Sequence, residues 1–210
     1  MKMLLTGGSG LLGQQLIPIL RKTYEVVAPT HEYLDITKVD TVREGIDWVI
    51  HAAAYTDVEG AQTNRVDCYN TNVIGTFNMV KLYHNVPFVY ISSEYANKPT
   101  NFYAYTKRVG EMTVRSLHDH FLIIRTLFKP NPFPHENAFI DQFTMGDYVD
   151  MIAKLIMHKV DRWLEEATSQ TCYIGTGRKT MYELAKKTRP DVGQISVKDI
   201  KGVKIPTDYK

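Results

Sequence analysis

Two hydroxyls, a phenol and an amine stand at spacings that suit proton transfer. The apolar run Phe88-Val-Tyr-Ile ends in Ser92 and Ser93, Tyr103 lies ten residues beyond Ser93, and Lys107 follows four residues later. Positions i and i+4 share one face of a helix, so the Lys107 ammonium can approach the Tyr103 hydroxyl. A neighbouring cation favours phenolate, and bringing a tyrosine from about 10 toward 7 takes roughly 4 kcal/mol, within reach of a close, partly desolvated charge. A tyrosine tuned in this way is a usable acid or base near neutral pH. The same Tyr-x-x-x-Lys spacing recurs at Tyr182 and Lys186, but no strand ending in hydroxyls precedes it. Context therefore selects Tyr103 and Lys107, and Tyr105, two residues from Lys107, is expected to face elsewhere.

A second group lies near the start of the chain. Thr6-Gly7-Gly8-Ser9-Gly10-Leu11-Leu12-Gly13 follows a short apolar run and opens a segment with helical periodicity. Gly7, Gly10 and Gly13 suit a tight turn, a close approach of backbone to a pyrophosphate, and close packing of helix on strand. The helix start beyond them offers free N–H groups and a partial positive charge to phosphates. In strand-loop-helix context this pattern points to a dinucleotide site. The acidic residue usual at the tip of the second strand is missing, because the tip reads Ala28-Pro29-Thr30-His31. A strict preference for NAD is therefore not indicated, and the cofactor is NADP or NAD. Asp35, a few residues later, suits either a hydrogen bond from an adenine amino group or the cap of a following helix.

These groups need a scaffold that brings strand ends and helix starts to one edge. Short apolar runs bounded by turn residues occur at 3–6, 25–28, 47–51, 88–92, 121–125 and 172–174, and helical periodicity at 11–22, 67–83, 103–117, 145–158 and 181–187. Several of the runs lack polar alternation, as expected for strands covered on both faces. The alternation predicts right-handed crossovers and an α/β fold with a doubly wound parallel sheet of the Rossmann type. Pro18 inside the first helix predicts a kink. The stretch 127–143 carries Pro130, Pro132 and Pro134 among Phe128, Phe133, Phe139 and Phe143, and it reads as an irregular loop. Either its phenylalanines pin it to the body, or it forms a wall over a pocket at the carboxyl ends of the strands.

At 210 residues, with 44% hydrophobic and 23% charged content, the chain predicts one globular domain over 1–210. No apolar run reaches the roughly 20 residues of a membrane span, and the opening Met1-Lys-Met-Leu-Leu-Thr-Gly-Gly lacks a secretory pattern, so a cytoplasmic protein is expected. The net charge of +2 is spread along the chain, and the basic stretches at 178–179 and 186–189 are too short for a nucleic-acid footprint. Cys68 and Cys172 stand far apart without partners at ligand spacing, which suggests neither disulfide nor metal site.

The glycine loop, Thr30-His-Glu-Tyr-Leu-Asp-Ile-Thr37, His51-Ala-Ala-Ala-Tyr-Thr-Asp57, Asn72-Val-Ile-Gly-Thr76, Tyr90-Ile-Ser-Ser-Glu-Tyr95, Tyr103 to Lys107 and Cys172-Tyr-Ile-Gly-Thr-Gly177 appear in this order over most of the chain. Together they resemble the extended short-chain dehydrogenase/reductases, and within them the dTDP-4-dehydrorhamnose reductase group of nucleotide-sugar enzymes. The resemblance implies a catalytic triad at Ser93, Tyr103 and Lys107. It implies a cofactor lined by Gly7, Ser9, Gly10, Leu11, Leu12, Gly13, Thr30, Asp35, Ile36, Ala53, Ala54 and Tyr55, with Asn72 supporting the site. The implied reaction passes hydride from reduced nicotinamide to a keto carbon of a nucleotide sugar, with Tyr103 protonating the alkoxide, Lys107 holding the ribose hydroxyls and Ser93 bonding the carbonyl oxygen. The segment between Ser93 and Tyr103 is shorter than that group's usual loop, and 127–143 with 171–210 are expected to form a small C-terminal substrate-binding extension, a reduced lobe. An epimerase or dehydratase is the first alternative, although Ser93-Glu94 offers one carboxylate where dehydratases place an acid pair. A non-catalytic dinucleotide-binding regulatory subunit is the second. Helices in 67–83 and 103–117 suit a homodimer, as in many members of the superfamily, or the covering of their own sheet.

Overall fold

In the computed structural model, which describes residues 1–39, 44–166, 168–200, 202 and 204–208, strands and helices alternate as the apolar runs predict. β1 (Lys2–Thr6) leads into α1 (Leu11–Leu20), followed by β2 (Glu25–Val27) and β3 (Trp48–His51). Short helices α2 (Gly60–Thr63) and α3 (Arg65–Tyr69) pass through a π turn at Asn70–Ile74 into α4 (Gly75–Leu82). Next come β4 (Phe88–Ser93), α5 (Phe102–Leu117) and β5 (Phe121–Thr126). Four two- or three-residue strands follow: β6 (Phe128–Lys129), β7 (Asn137–Phe139), β8 (Phe143–Thr144) and β9 (Asp147–Tyr148). The chain continues through α6 (Val149–Glu166), β10 (Gln170–Tyr173), β11 (Lys179–Thr180), α7 (Met181–Lys186) and β12 (Gly193–Ile195). Of the expected C-terminal extension 171–210, residues 201, 203, 209 and 210 lie outside the described residues.

Six strands form one parallel sheet in the order β10-β5-β4-β3-β1-β2. Side chains alternate across it and fill two cores. Met3, Leu5, Trp48, Ile50, Val89 and Ile124 meet Leu12, Leu16, Ile152, Ile156 and Trp163 of α1 and α6. On the other face Leu4, Val49, Phe88 and Ile123 meet Met79 and Val80 of α4 and Val114 of α5. Covering both faces explains why the strands read as unbroken apolar runs. The chain leaves β1 toward β2 on one side and returns to β3 on the other, so the crevice of this doubly wound sheet opens at the carboxyl ends of β1 and β3.

Several elements differ from their sequence reading. α1 continues through Pro18, which sits on the exposed face in its last turns. The single helix expected at 67–83 is divided by the π turn. The helix expected at 145–158 begins later, because Asp147 and Tyr148 pair with β6, and ends later, because Val160 and Trp163 continue its buried stripe. A smaller body packs Phe133, Tyr148, Met181 and Leu184 around the pairs β11-β8 and β12-β7. Phe133 is buried there, and Phe128 packs on the main core, so the phenylalanines do pin the segment 127–143.

Candidate active site

At the glycine turn three backbones meet without room for side chains. Gly7 adopts φ +73°, and a Cβ there would stand 2.6 Å from the Ala53 nitrogen. A Cβ on Gly13 would lie 2.2 Å from the Gly7 carbonyl oxygen. Gly10 caps α1 without a side-chain hydrogen bond, which leaves first-turn N–H groups directed at whatever occupies the crevice. That crevice measures about 670 Å³ and runs from the glycine turn to the end of β4. Its size and helix-start anion site fit an extended dinucleotide.

The crevice brings together Gly7, Ser9, Gly10, Leu11, Leu12 and Gly13 at one end, Asp35, Ile36, Ala53 and Ala54 along its side, and Ser93, Tyr103 and Lys107 at the other end. Three expected residues, the exposed Thr30, the half-buried Tyr55 and the buried Asn72, are not part of this lining. Pro29 and His31 line it on either side of Thr30, and Ala54 and Thr56 on either side of Tyr55. Asn72 is 1% exposed and acts behind the wall. The Asp35 carboxylate accepts the Thr37 N–H (3.0 Å) and hydroxyl (2.7 Å) and pairs with Lys38 at 3.3 Å. It caps a turn while also lining the crevice.

Tyr103, on the first turn of α5, lines the crevice with Ser93, whose hydroxyl oxygen accepts the Tyr95 N–H at 3.2 Å. The Asn101 side chain starts the helix by accepting the Ala104 N–H at 2.9 Å. Lys107, one turn on, is buried. Its Nζ donates to the Ile91 carbonyl at 2.8 Å and lies 4.4 Å from the centre of the Tyr90 ring. Burial pushes the Tyr103 phenol up to about 12, opposed by the neighbouring Ser93 hydroxyl, and burial pulls Lys107 down to about 7. The expectation that Lys107 draws Tyr103 toward neutrality is thus corrected. The ammonium is committed to a carbonyl and an aromatic face, and desolvation dominates at the phenol. A phenol that keeps its proton is a proton donor.

Behind the wall runs a line of buried hydrogen bonds that sequence reasoning missed. The Thr6 hydroxyl meets His51 Nδ1 at 2.7 Å, and His51 Nε2 meets the Thr76 hydroxyl at 3.2 Å. Thr76 donates to the Asn72 carbonyl at 2.8 Å, the Asn72 amide donates to Thr106 at 2.9 Å, and Thr106 donates to the Tyr103 carbonyl at 2.8 Å. Because Thr76 spends its proton on Asn72, it accepts from His51, which makes the ring a neutral Nε2–H tautomer. Burial and the charge of Lys107 agree, holding His51 down at about 3. Asn72 also accepts the Tyr55 N–H at 2.8 Å and donates to the Tyr55 carbonyl at 3.1 Å. It therefore fixes the loop after β3 from both sides. The π turn, a device frequent at functional sites, is what carries Asn72 there. The signal in the sequence was the polar His51 closing an apolar strand.

Two buried carboxylates complete the setting. Glu111, fully buried, accepts Arg125 Nε and Nη2 at 2.8 and 2.7 Å and the Ser92 hydroxyl at 2.7 Å. Glu94 accepts the Thr144 hydroxyl at 2.7 Å and the Met145 N–H at 3.0 Å, and burial pushes it up to about 7. It does not line the crevice. The segment 127–143 does, through Leu127, Phe128, Lys129, Pro130, Pro134 and His135, so the wall reading of that segment holds together with the pinning one. Tyr182 packs against the smaller body and Tyr105 is exposed.

Comparison with known proteins bears on the family and the fold. Residues 1–128 match the model of the family described as the RmlD substrate binding domain. A dTDP-4-dehydrorhamnose reductase of Aggregatibacter actinomycetemcomitans is 30% identical over 148 residues, covering 60% of this chain and 50% of that protein. The chain spans about half the length of the curated relatives it matches. A solved dTDP-4-dehydrorhamnose reductase from Clostridium acetobutylicum matches with a TM-score of 0.86 at 21% identity, covering 100% of this chain and 89% of that one. Another from Bacillus anthracis, solved in complex with NADP, matches with a TM-score of 0.83 at 24% identity over the same shares. These two likenesses show a shared fold.

Proposed function

The chain belongs to the RmlD substrate binding domain family, and from that premise we propose that it reduces a keto group of a nucleotide-linked sugar, of the 4-keto-6-deoxy type, with NADPH or NADH. The observation that carries the proposal is one crevice lined by Ser93, Tyr103 and Lys107 at one end and by the glycine turn at the other. The glycine turn and the start of α1 would hold the pyrophosphate. Bound there, the dinucleotide supplies a hydride. Tyr103, protonated through the neutral range, gives its proton to the alkoxide oxygen as the keto group becomes an alcohol, and Ser93 donates a hydrogen bond to that oxygen. Lys107, anchored on Ile91, would hold the ribose hydroxyls in this reading. Glu94, turned to Thr144 and Met145 and absent from the lining, supports reduction over dehydration.

The smaller body and the segment 127–143 serve in this reading as a reduced substrate lobe on a single dinucleotide-binding domain. Adjacent helices present apolar stripes, Val66, Tyr69 and Phe77 on one side and Tyr105, Val109 and Met112 on the other, all exposed. This face supports a homodimer. Among the described residues no helix is long and apolar enough to cross a membrane, and the free Cys68 and Cys172 fit a reducing compartment such as the cytoplasm. The test is to titrate the purified protein with NADH and NADPH and then follow cofactor absorbance with a panel of nucleotide-linked keto sugars. Turnover with one of them is expected. Binding without turnover on any of them would replace this reading with that of a regulatory dinucleotide-binding subunit.

A further inference from the structure

Two lysines line the crevice, and they differ in what they touch. Lys107 has the Ile91 carbonyl and the Tyr90 ring. Lys129, on β6 just beyond the end of β5, is half-buried, and its ammonium makes no hydrogen bond or ion pair with any described residue. Burial alone pulls its pKa below the usual lysine value. His135 lines the same wall, with its ring 5.5 Å from that of the buried Phe133. The Phe133 N–H in turn donates to the Thr188 hydroxyl at 3.0 Å, so the imidazole is carried on an anchored segment. Among the described residues Asp35 is the acidic side chain of the lining, and it already serves Thr37 and Lys38. It also follows β2, which stands four strand spacings from β5, on the order of 19 Å.

A half-buried ammonium without a counter-charge is costly, and an anion brought in by a ligand relieves that cost. We propose that Lys129, assisted by His135, anchors a diphosphate group that enters the crevice at its β5 end. The assignment rests on reading the crevice as a nucleotide site. Two ligands of the proposed reaction carry such a group, but the pyrophosphate of the dinucleotide belongs to the glycine turn after β1, three strand spacings from β5 and on the order of 14 Å away, so the anchored group is that of the nucleotide sugar. The 2′-phosphate of NADPH is a different case. It belongs beside Pro29 and His31 at the tip of β2, out of reach of position 129 by the spacing above.

The test is to titrate wild type, Lys129→Met, Lys129→Arg and His135→Gln with NADH, NADPH and thymidine diphosphate, following heat or quenching of intrinsic fluorescence. Lys129→Met keeps the side-chain length, orphans no partner and removes an unpaired charge, so its melting temperature should equal or exceed that of wild type. Removing one charge-assisted hydrogen bond weakens binding about tenfold to a hundredfold. A loss of that size for thymidine diphosphate alone assigns the anchor to the substrate. The same loss for NADH and NADPH alike would overturn that assignment, since their pyrophosphate belongs to the glycine turn. Lys129→Arg should stay within about threefold of wild type, and His135→Gln should show a smaller loss on the same ligand, a readout that stands even if position 129 tolerates no change. Unaltered affinities for all three ligands in Lys129→Met and His135→Gln would overturn the assignment, and so would a loss confined to NADPH. A wild-type protein that binds none of the three overturns the reading of the crevice itself.

Discussion

Burial decides the chemistry of individual residues at the β4 edge. Tyr103 sits at about 12 and donates its proton at any working pH, so Tyr103→Phe should lower keto-sugar turnover about 10²-fold to 10⁴-fold. Dinucleotide affinity should stay near wild type, and the two are separated by steady-state rates and direct titration. Glu94 gives a prediction of the opposite kind, in stability. Its folded value of about 7 lies above the ordinary 4.5, so the folded chain holds the proton more tightly. The associated stability is complete below 4.5 and is lost as pH rises through about 7, up to about 3 kcal/mol. Melting temperatures of wild type and Glu94→Gln, compared from pH 5 to 8, should show the variant gaining on wild type as pH rises. Parallel curves would exclude a raised carboxyl.

Elements are joined at this edge by close backbone contact and one buried ion pair. The Glu111–Arg125 pair ties α5 to β5 at 2.7 Å, and Arg125 Nη1 reaches Asn97 at 2.7 Å beyond β4. Arg125→Met leaves the buried Glu111 carboxylate the longer contacts to Arg108 (3.5 Å) and Arg115 (3.4 Å), and the loss of its two short bonds should cost about 3 kcal/mol in chemical denaturation. Gly13→Ala forces a methyl into the Gly7 carbonyl, and the overpacking should cost about 1–3 kcal/mol or more while weakening dinucleotide binding. The sequence made this edge readable in part. Six strands stood out because parallel strands buried on both faces are unbroken apolar runs, and Tyr103 was separated from Tyr182 by the hydroxyl-ended strand before it. Strands β6 to β9 were not readable, since two or three residues carry no period. Nor was the π turn, a single turn too short for its own period to show. Lys129 and His135 were hidden because their role depends on which wall a proline-rich segment faces. The Tyr103 phenol was misjudged because spacing shows proximity to a cation and not the depth of burial.

At the scale of the whole molecule, the stripes on α3–α4 and α5 bear on assembly. Val66 is 71% exposed and Met112 57%, and apolar side chains gathered on one face mark an interaction site. Phe77→Glu combined with Met112→Glu should shift a dimer to monomer in sedimentation equilibrium without loss of fold; a wild type that sediments as monomer removes the dimer. A different consequence follows from the buried line Thr6–His51–Thr76–Asn72–Thr106, which draws one side chain from each of five elements. Such a line has no weakest local joint. Loosening it at Thr6→Val should therefore speed deuterium uptake at the amides of the helix bearing the phenol, far along the chain from the change, while the amides of α7 in the smaller body keep their pace.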